Sequence, residues 1–317
     1  MENVEATSNI RILGAFLILI PTVIGLLLHV LLATSLFTGW KKFRENGFYV
    51  ITVQLQLCDV CALLLDVYIA FPLTLTGVQY MGDNVPLYYG PLFFQGIAFN
   101  GIFALSFFLS ANRFLLFIYP ALHNRLFTTL GTRIMSLVVW IHAFVVVGLS
   151  NVFGCVKQFS KDDFYFWYNC SNRVPGKLHY MDLMNYESYA IVCGMIVMYV
   201  VIYIKLKAAG YNRNWSLTAV KQEMKYLMQT VLIGVLLVAE ICAFVTVPFL
   251  GISGYGRFYL NIFLNLIEIA NNVVTPIVLL LFNKEIREQL VLTLSSQLHS
   301  TANVKTISIR KFSVILL

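Results

Sequence analysis

Seven long apolar runs constrain this chain more than any other feature of its sequence. They are Ile12–Phe37, Tyr49–Leu75, Tyr89–Phe117, Ile134–Phe153, Tyr189–Ile204, Tyr226–Leu250 and Tyr259–Phe282. A helix of about 20 mostly apolar residues spans the ~30 Å hydrocarbon core of a bilayer. The fifth run is the shortest, with an alternative start near Met184. The alternating strands of about ten residues that build a membrane barrel do not occur in this sequence. The runs therefore predict an all-α membrane protein, a bundle of seven transmembrane helices.

The composition agrees with a membrane protein and narrows its chemistry. Only 12% of the 317 residues are charged, whereas a soluble domain carries about 25%. Six Cys residues are too few for a scaffold built from disulfides, and no Cys or His spacing is typical of a zinc site. We therefore expect neither a metal nor another cofactor, and no separate soluble domain.

The distribution of basic residues predicts the orientation of the helices. Sixteen of the 22 Lys and Arg residues fall on the side that holds 38–48, 113–133, 205–225 and 283–317, and the other six fall on the opposite side. Basic residues favour the cytoplasmic face of a membrane. The N-terminus is therefore expected outside. The net charge of +7 then indicates contact with anionic membrane lipid, and nucleic acid is not an expected partner.

This orientation divides the chain into three parts. We expect an extracellular N-terminus over residues 1–11, the helix bundle over 12–282, and a cytoplasmic amphipathic helix and tail over 283–317. The third part is expected to be amphipathic because apolar residues follow Asn283 at intervals of four. The sequence thus predicts a multi-pass protein of the plasma membrane.

The loop between the fourth and fifth runs contains two cysteines on the predicted outer side. A disulfide between Cys155 and Cys170 would close a loop of about 15 residues and stabilise the fold by ~3 kcal/mol. Two free thiols are the alternative. Asn169, Cys170 and Ser171 also form a sequon for glycosylation of Asn169.

Short motifs at the ends of two runs carry a resemblance to a known receptor family. The third run ends in Ser110-Ala111-Asn112-Arg113-Phe114, and Tyr119-Pro120-Ala121-Leu122 follows it. This segment resembles the Asp-Arg-Tyr…Pro-Leu segment of rhodopsin-like G-protein-coupled receptors. Its Asn-Arg variant is similar to that of the nematode serpentine chemoreceptors, most like the Srx type. Pro276 in the seventh run agrees, although Thr275 and Leu279 replace the Asn and Tyr expected around it.

The resemblance implies a function as well as a fold. A rhodopsin-like receptor has its N-terminus outside, binds an external small molecule within the helix bundle and activates a heterotrimeric G protein. It is not an enzyme. For this family the sensory cilium is a candidate location. Two departures from the rhodopsin-like pattern concern activation: His29 stands where the first span usually has Asn, and Asn112 replaces the acidic neighbour of Arg113.

Acidic residues inside the runs indicate a polar interior. A charge at the bilayer centre costs at least ~2.5–3.5 kcal/mol, so such groups face the bundle or water. Glu240 and Glu268 lie about 15 Å below the outer ends of their helices. We predict that they line a cavity with Asp66, Gln95 and Asn100, and that they favour a cationic or hydrogen-bonding ligand. Contacts between helices without any ligand are the alternative.

Two further groups of residues take their predicted roles from the resemblance. Asp59, with Asn271, Asn272 and nearby His29, marks the polar cluster that binds water or sodium, and a protonated Asp in a hydrogen-bonded core is the alternative. At the cytoplasmic end, Arg113 with Asn112 and Pro120 is expected to contact the G protein. The alternative is an Arg that extends to lipid phosphate.

The positions of a few residues argue against competing classes of membrane protein. A retinal photoreceptor needs a Lys in the seventh run, which has none, and an aspartyl protease needs its two Asp on facing helices, whereas Asp59 and Asp66 share one. Inverted repeats typical of transporters are not present. The remaining alternative is a ligand-gated channel or carrier with seven spans that does not signal through G proteins.

Overall fold

The computed structural model describes residues 5–170, 179–211, 217–246 and 250–296 of the chain. Seven long helices form a bundle: α1 (Ser8–Thr38), α2 (Gly47–Thr76), α3 (Val85–Ile118), α4 (Thr129–Val152), α5 (Tyr180–Tyr211), α6 (Leu217–Thr246) and α7 (Tyr255–Phe282). Two helices contain a π-helical turn, Asp66–Ala70 within α2 and Val85–Tyr89 at the start of α3. Short helices Trp40–Phe43 and Pro120–Leu126 follow α1 and α3, and α8 spans residues 284–296.

Each long helix contains most of one apolar run, and the all-α membrane bundle is confirmed. Six helices are long and apolar enough to cross a membrane, and α6 contributes the shorter apolar stretch Thr230–Thr246. The largest difference is at α5, which begins at Tyr180, nine residues before the predicted Tyr189. The added turns contain Asp182, Asn185 and Glu187, so hydropathy alone places the start of this helix too late.

Local signals in the sequence set several helix ends. The side chain of Asn46 accepts a hydrogen bond from the Phe48 N–H at the start of α2, and Thr128 does the same for Gly131 at the start of α4. Such caps satisfy backbone donors that have no partner in the first turn. Gly77, with φ +67°, ends α2 in the left-handed conformation that glycine adopts at no steric cost.

The centre of the bundle is an apolar core contributed by several helices. Leu55 and Cys58 of α2, Leu105 of α3, Met195 of α5 and Leu237 of α6 are buried together. Large apolar residues on the outer faces are exposed, as the lipid-facing side of a membrane bundle requires.

A close approach joins α1 to α7. A Cβ added at Gly25 would lie 2.3 Å from Val273 Cγ2, so only glycine permits this spacing. The contact fixes α7, which carries several of the polar residues discussed below.

A two-stranded antiparallel hairpin between α4 and α5 was not predicted. Strand β1 (Cys155–Ser160) pairs with β2 (Tyr165–Cys170), with Cys155 opposite Cys170 and Ser160 opposite Tyr165. The buried residues of β1 alternate along the strand, so that Cys155, Lys157 and Phe159 face the bundle. The hairpin therefore covers one end of the bundle with every second side chain directed inward.

Helix α8 packs against the end of α1. Asn283 Oδ1 accepts hydrogen bonds from the Glu285 and Ile286 N–H groups and so caps the helix, as the sequence predicts. Ser35 Oγ donates to the Ile286 carbonyl at 2.7 Å, and the hydroxyls of Thr38 and Thr293 lie 3.0 Å apart. Residues 297–317 of the predicted tail lie outside the described residues.

Candidate ligand site

A cavity of about 590 Å³ lies between the hairpin and helices α3, α5, α6 and α7. Its volume is in the range of small-molecule sites, which are mostly apolar with a few converging polar groups. Seven lining residues are aromatic: Phe99, Phe103, Phe166, Trp167, Tyr168, Tyr189 and Phe244. The polar lining residues are Lys157, Asn185, Ser188, Glu240 and Glu268. The cavity therefore fits a compact, largely apolar molecule that carries a polar group.

The structure places two of the predicted carboxyl groups in the wall of this cavity. Glu240 of α6 and Glu268 of α7 are both buried. Glu268 Oε1 accepts a hydrogen bond from Gln95 Nε2 of α3 at 3.3 Å, and Glu240 Oε2 accepts one from Asn271 Nδ2 of α7 at 2.7 Å. Each carboxyl group is thus held by an amide on a neighbouring helix.

Three other residues predicted for the lining are not among the residues that line this cavity, so their part in ligand binding stays a prediction. Asp66 belongs to α2, a helix that does not contribute to the lining, although Asp66 interacts electrostatically with Glu268 and Lys157. The amide of Gln95 is directed to Glu268, and Asn100 Nδ2 donates to the Gly96 carbonyl at 2.8 Å. Of the three, Gln95 contacts a lining residue directly, through its hydrogen bond to Glu268.

Lys157 is a cavity residue that the sequence interpretation missed, because it counted only as a basic residue of an outer loop. Its side chain is only 7% exposed. Nζ lies 4.6 Å from the centre of the Phe99 ring and 5.6 Å from the centres of the Phe166 and Tyr168 rings. An ammonium group over aromatic faces is attracted by their quadrupoles.

The presence of Lys157 changes the electrostatics expected of the site. Burial lowers the pKa of Lys157 to about 8, while the charges of Glu268, Glu240 and Asp66 oppose that shift. Because this amine already lies over the aromatic rings, a cationic ligand would have to share those rings with it, and the cationic ligand stays a prediction. The hydrogen-bonding ligand, the other half of that prediction, keeps its support.

The tip of the hairpin is fastened to two helices. Asn261 and Asn265 of α7 donate to the carbonyls of Asp163 and Phe164, and Arg257 Nε lies 2.8 Å from Asp163 Oδ1. From α1, Arg11 donates to the Lys161 carbonyl at 2.9 Å and its guanidinium lies over the Phe164 ring. The hairpin is therefore a fixed roof of the cavity.

The base of the hairpin contains the predicted cysteine pair. Cys155 and Cys170 are joined by a disulfide, in line with the bonded alternative. Asn169 is exposed on β2, and its Nδ2 donates to Gln158 Oε1 at 3.4 Å. Ser171, the third residue of the sequon, lies outside the described residues, so glycosylation stays a prediction.

The predicted polar cluster lies farther from the hairpin than the cavity does, and its residues have partners other than those predicted. His29 Nε2 is 2.9 Å from the Asn272 carbonyl oxygen, and Asn271 is engaged with Glu240. Asp59 has Thr275 as a side-chain neighbour instead of Asn271. Among the described residues, Asp59 Oδ2, His29 Nδ1 and Asn272 Nδ2 have no hydrogen-bond partner. Binding of water or sodium here stays a prediction.

At the cytoplasmic end predicted for G-protein coupling, Arg113 is only 7% exposed, with its guanidinium 4.3 Å from the centre of the Phe48 ring. Asn112 Nδ2 lies 3.2 Å from His123 Nε2. Pro120 begins the short helix that carries His123. His123 had no predicted role, and no spacing in the sequence identified it.

An apolar helical bundle with one end roofed over a ligand-sized cavity is the architecture of a membrane receptor. Comparison with protein families is specific: residues 18–283 match the serpentine type seven-transmembrane GPCR chemoreceptor family Srx. The match covers most of the chain, which belongs to this family and is a chemosensory G-protein-coupled receptor of the membrane. A comparison with curated proteins gives no match.

Proposed function

We propose that this receptor binds an external small molecule in the cavity beneath the hairpin and in response activates a heterotrimeric G protein. The observation that carries the proposal is the cavity itself, which is lined by seven aromatic side chains and contains the carboxyl groups of Glu240 and Glu268. The proposal includes an N-terminus outside the plasma membrane, because only in that orientation does the cavity face external chemicals.

The contacts of Glu240 suggest how binding reaches the rest of the bundle. Its carboxyl group both lines the cavity and accepts a hydrogen bond from Asn271, so it joins α6 to α7. A ligand with a hydrogen-bonding group competes with Asn271 for Glu240 and weakens that link. Because a ligand shifts an equilibrium only through its differential affinity for two states, an agonist is a molecule that binds better when α6 has moved away from α7.

Filling the cavity tests where the ligand binds. Ser188 of α5 lines the cavity, and we expect Ser188→Trp to raise the agonist concentration for half-maximal response at least about tenfold, or 1.4 kcal/mol. The bulky indole excludes the ligand. The assay is a second-messenger response in cells that express the receptor with a promiscuous Gα, after a small-molecule screen has supplied the agonist.

The matched control is Val197→Trp on the same helix, since Val197 is 61% exposed on the lipid-facing surface. It should respond as the unmodified receptor does, with surface expression equal for both variants. Equal responses from Ser188→Trp and Val197→Trp would place the ligand elsewhere. A ligand-evoked current that persists without any G protein would favour the channel alternative.

A substitution of Arg113 tests the second part of the proposal, that the receptor activates a G protein. We expect Arg113→Gln to keep agonist affinity within a few fold and to reduce agonist-stimulated nucleotide exchange on Gα at least about tenfold, because the charge available to the G-protein peptide is lost. Arg125→Gln, on the exposed short helix that follows, is the control. Full exchange by Arg113→Gln would contradict a role for Arg113 in coupling and favour a contact with lipid.

A further inference from the structure

Lys157 lies in the cavity in a chemical setting that is unusual for a lysine. Buried lysines are normally paired with an anion. Here, among the described residues, no carboxylate oxygen lies within 4.0 Å of Nζ and none of the acceptors forms a hydrogen bond with it. Its contacts are instead the rings of Phe99, Phe166 and Tyr168. The amine is therefore buried in the wall of a ligand-sized space, and the described part of the chain supplies no hydrogen-bond acceptor for it.

The surroundings also increase the neutral fraction of this amine. Burial is the main cause of the lowered pKa of Lys157, and it exceeds the opposing effect of the three nearby acidic residues. With a pKa of about 8, roughly a tenth of the amine has a free lone pair at pH 7. Lysines act as nucleophiles toward carbonyl compounds when a desolvated pocket lowers their basicity in this way.

The remaining groups of the cavity suit a carbonyl ligand. Aromatic walls hold an apolar body, and the carboxyl groups of Glu240 and Glu268 line the same space as Lys157. Amides of Asn271 and Gln95 orient these carboxyl groups. A carboxyl group beside an amine can transfer the protons that condensation with a carbonyl requires.

We propose that the cavity captures aldehydes as a reversible imine on Lys157. The proposal rests on the proposed function, since it specifies the class of ligand for the same cavity. The Nζ lone pair forms a bond to the carbonyl carbon, the C=O π pair moves to oxygen, and one proton passes from nitrogen to oxygen to give a carbinolamine. The C–O bond then breaks, nitrogen loses its second proton, water leaves and a C=N bond remains. No oxidant or reductant takes part, and water reverses the reaction.

Reductive trapping on the intact receptor in membranes tests the proposal directly. Octanal and benzaldehyde, two aldehydes of different shape, are each added with cyanoborohydride, which reduces an imine to a stable secondary amine, and the modified lysine is located by peptide mass spectrometry. We expect Lys157 to be labelled at aldehyde concentrations about tenfold lower than Lys161. Lys161 is the internal control because it lies on the same hairpin with its side chain 40% exposed.

Competition and a second variant distinguish labelling inside the cavity from non-specific labelling of lysines. An excess of octan-1-ol, which has the same chain length as octanal but no carbonyl group, should compete for the cavity, protect Lys157 and leave Lys161 unchanged. Ser188→Trp should also abolish the labelling of Lys157. Equal labelling of the two lysines, or no labelling of Lys157 by either aldehyde, would overturn the proposal.

A functional comparison separates this proposal from the binding function on which it rests. Lys157→Arg keeps a cation over the rings but cannot form the imine, and Lys161→Arg is its matched control. We expect Lys157→Arg to weaken the response to an aldehyde agonist at least about tenfold. An unchanged response that Ser188→Trp nonetheless abolishes would leave the ligand site intact and refute the imine. A response that neither variant alters would refute the ligand site itself.

Discussion

Replacing both Cys155 and Cys170 by Ser is expected to lower the free energy of unfolding by about 3 kcal/mol, the value for closing a loop of this length. This corresponds to roughly a hundredfold change in the ratio of folded to unfolded receptor. The bond lies at the base of the hairpin, so its loss also frees the register of β1 and β2. The receptor purified in detergent should therefore unfold at a lower temperature and reach the cell surface in smaller amounts.

Two of the four cysteines outside the hairpin provide the control for this experiment. Cys193 and Cys242 are exposed on the outside of the bundle, and replacing both by Ser should change stability by no more than about 0.5 kcal/mol. The single variants Cys155→Ser and Cys170→Ser should match the double variant, because either one removes the bond. An unfolding temperature that stays the same in all of them would show that the disulfide does not stabilise this receptor.

The bundle was predictable from sequence because the bilayer imposes a simple rule. Backbone groups in lipid must be satisfied within the segment, so every long apolar run becomes a helix. The rule fails where a helix leaves the hydrocarbon. Tyr180 starts α5 well before the apolar run, since polar residues such as Asp182 are favourable in the first turn of a helix that protrudes from the membrane.

The candidate site was predictable only in part. Depth along the helix identified Glu240 and Glu268, because an acidic residue in mid-membrane must face the interior. The direction of a side chain around the bundle depends on how neighbouring helices pack, so depth alone does not decide whether Asp66 and Gln95 line the cavity. The placement of Lys157 depends on how the hairpin docks on distant helices, which is non-local. With the disulfide assumed, the alternation Cys155, Lys157, Phe159 was the one signal in the sequence that could have revealed it.

Removing the carboxyl group of Glu240 is expected to make the receptor active without agonist. Glu240→Ala breaks the hydrogen bond to Asn271 that joins α6 to α7. Leaving the buried Asn271 Nδ2 without its acceptor costs about 1–3 kcal/mol, so the change shifts the equilibrium between the two positions of α6 by roughly 5- to 150-fold. Basal nucleotide exchange on Gα, divided by the number of receptors at the surface, measures this shift.

A double-mutant cycle shows whether the bond itself is responsible. Asn271→Ala should raise basal exchange to a similar level, and the double variant should add little to either single one, because both changes remove the same contact. Glu240→Gln is the conservative control, since its amide oxygen can still accept from Asn271 Nδ2. Thermal stability is measured in parallel to identify a variant that merely unfolds. Basal exchange that stays low in well-folded Glu240→Ala would mean that this contact does not hold α6 in place, and the link from the cavity to the G protein would then have to run through another contact of α6.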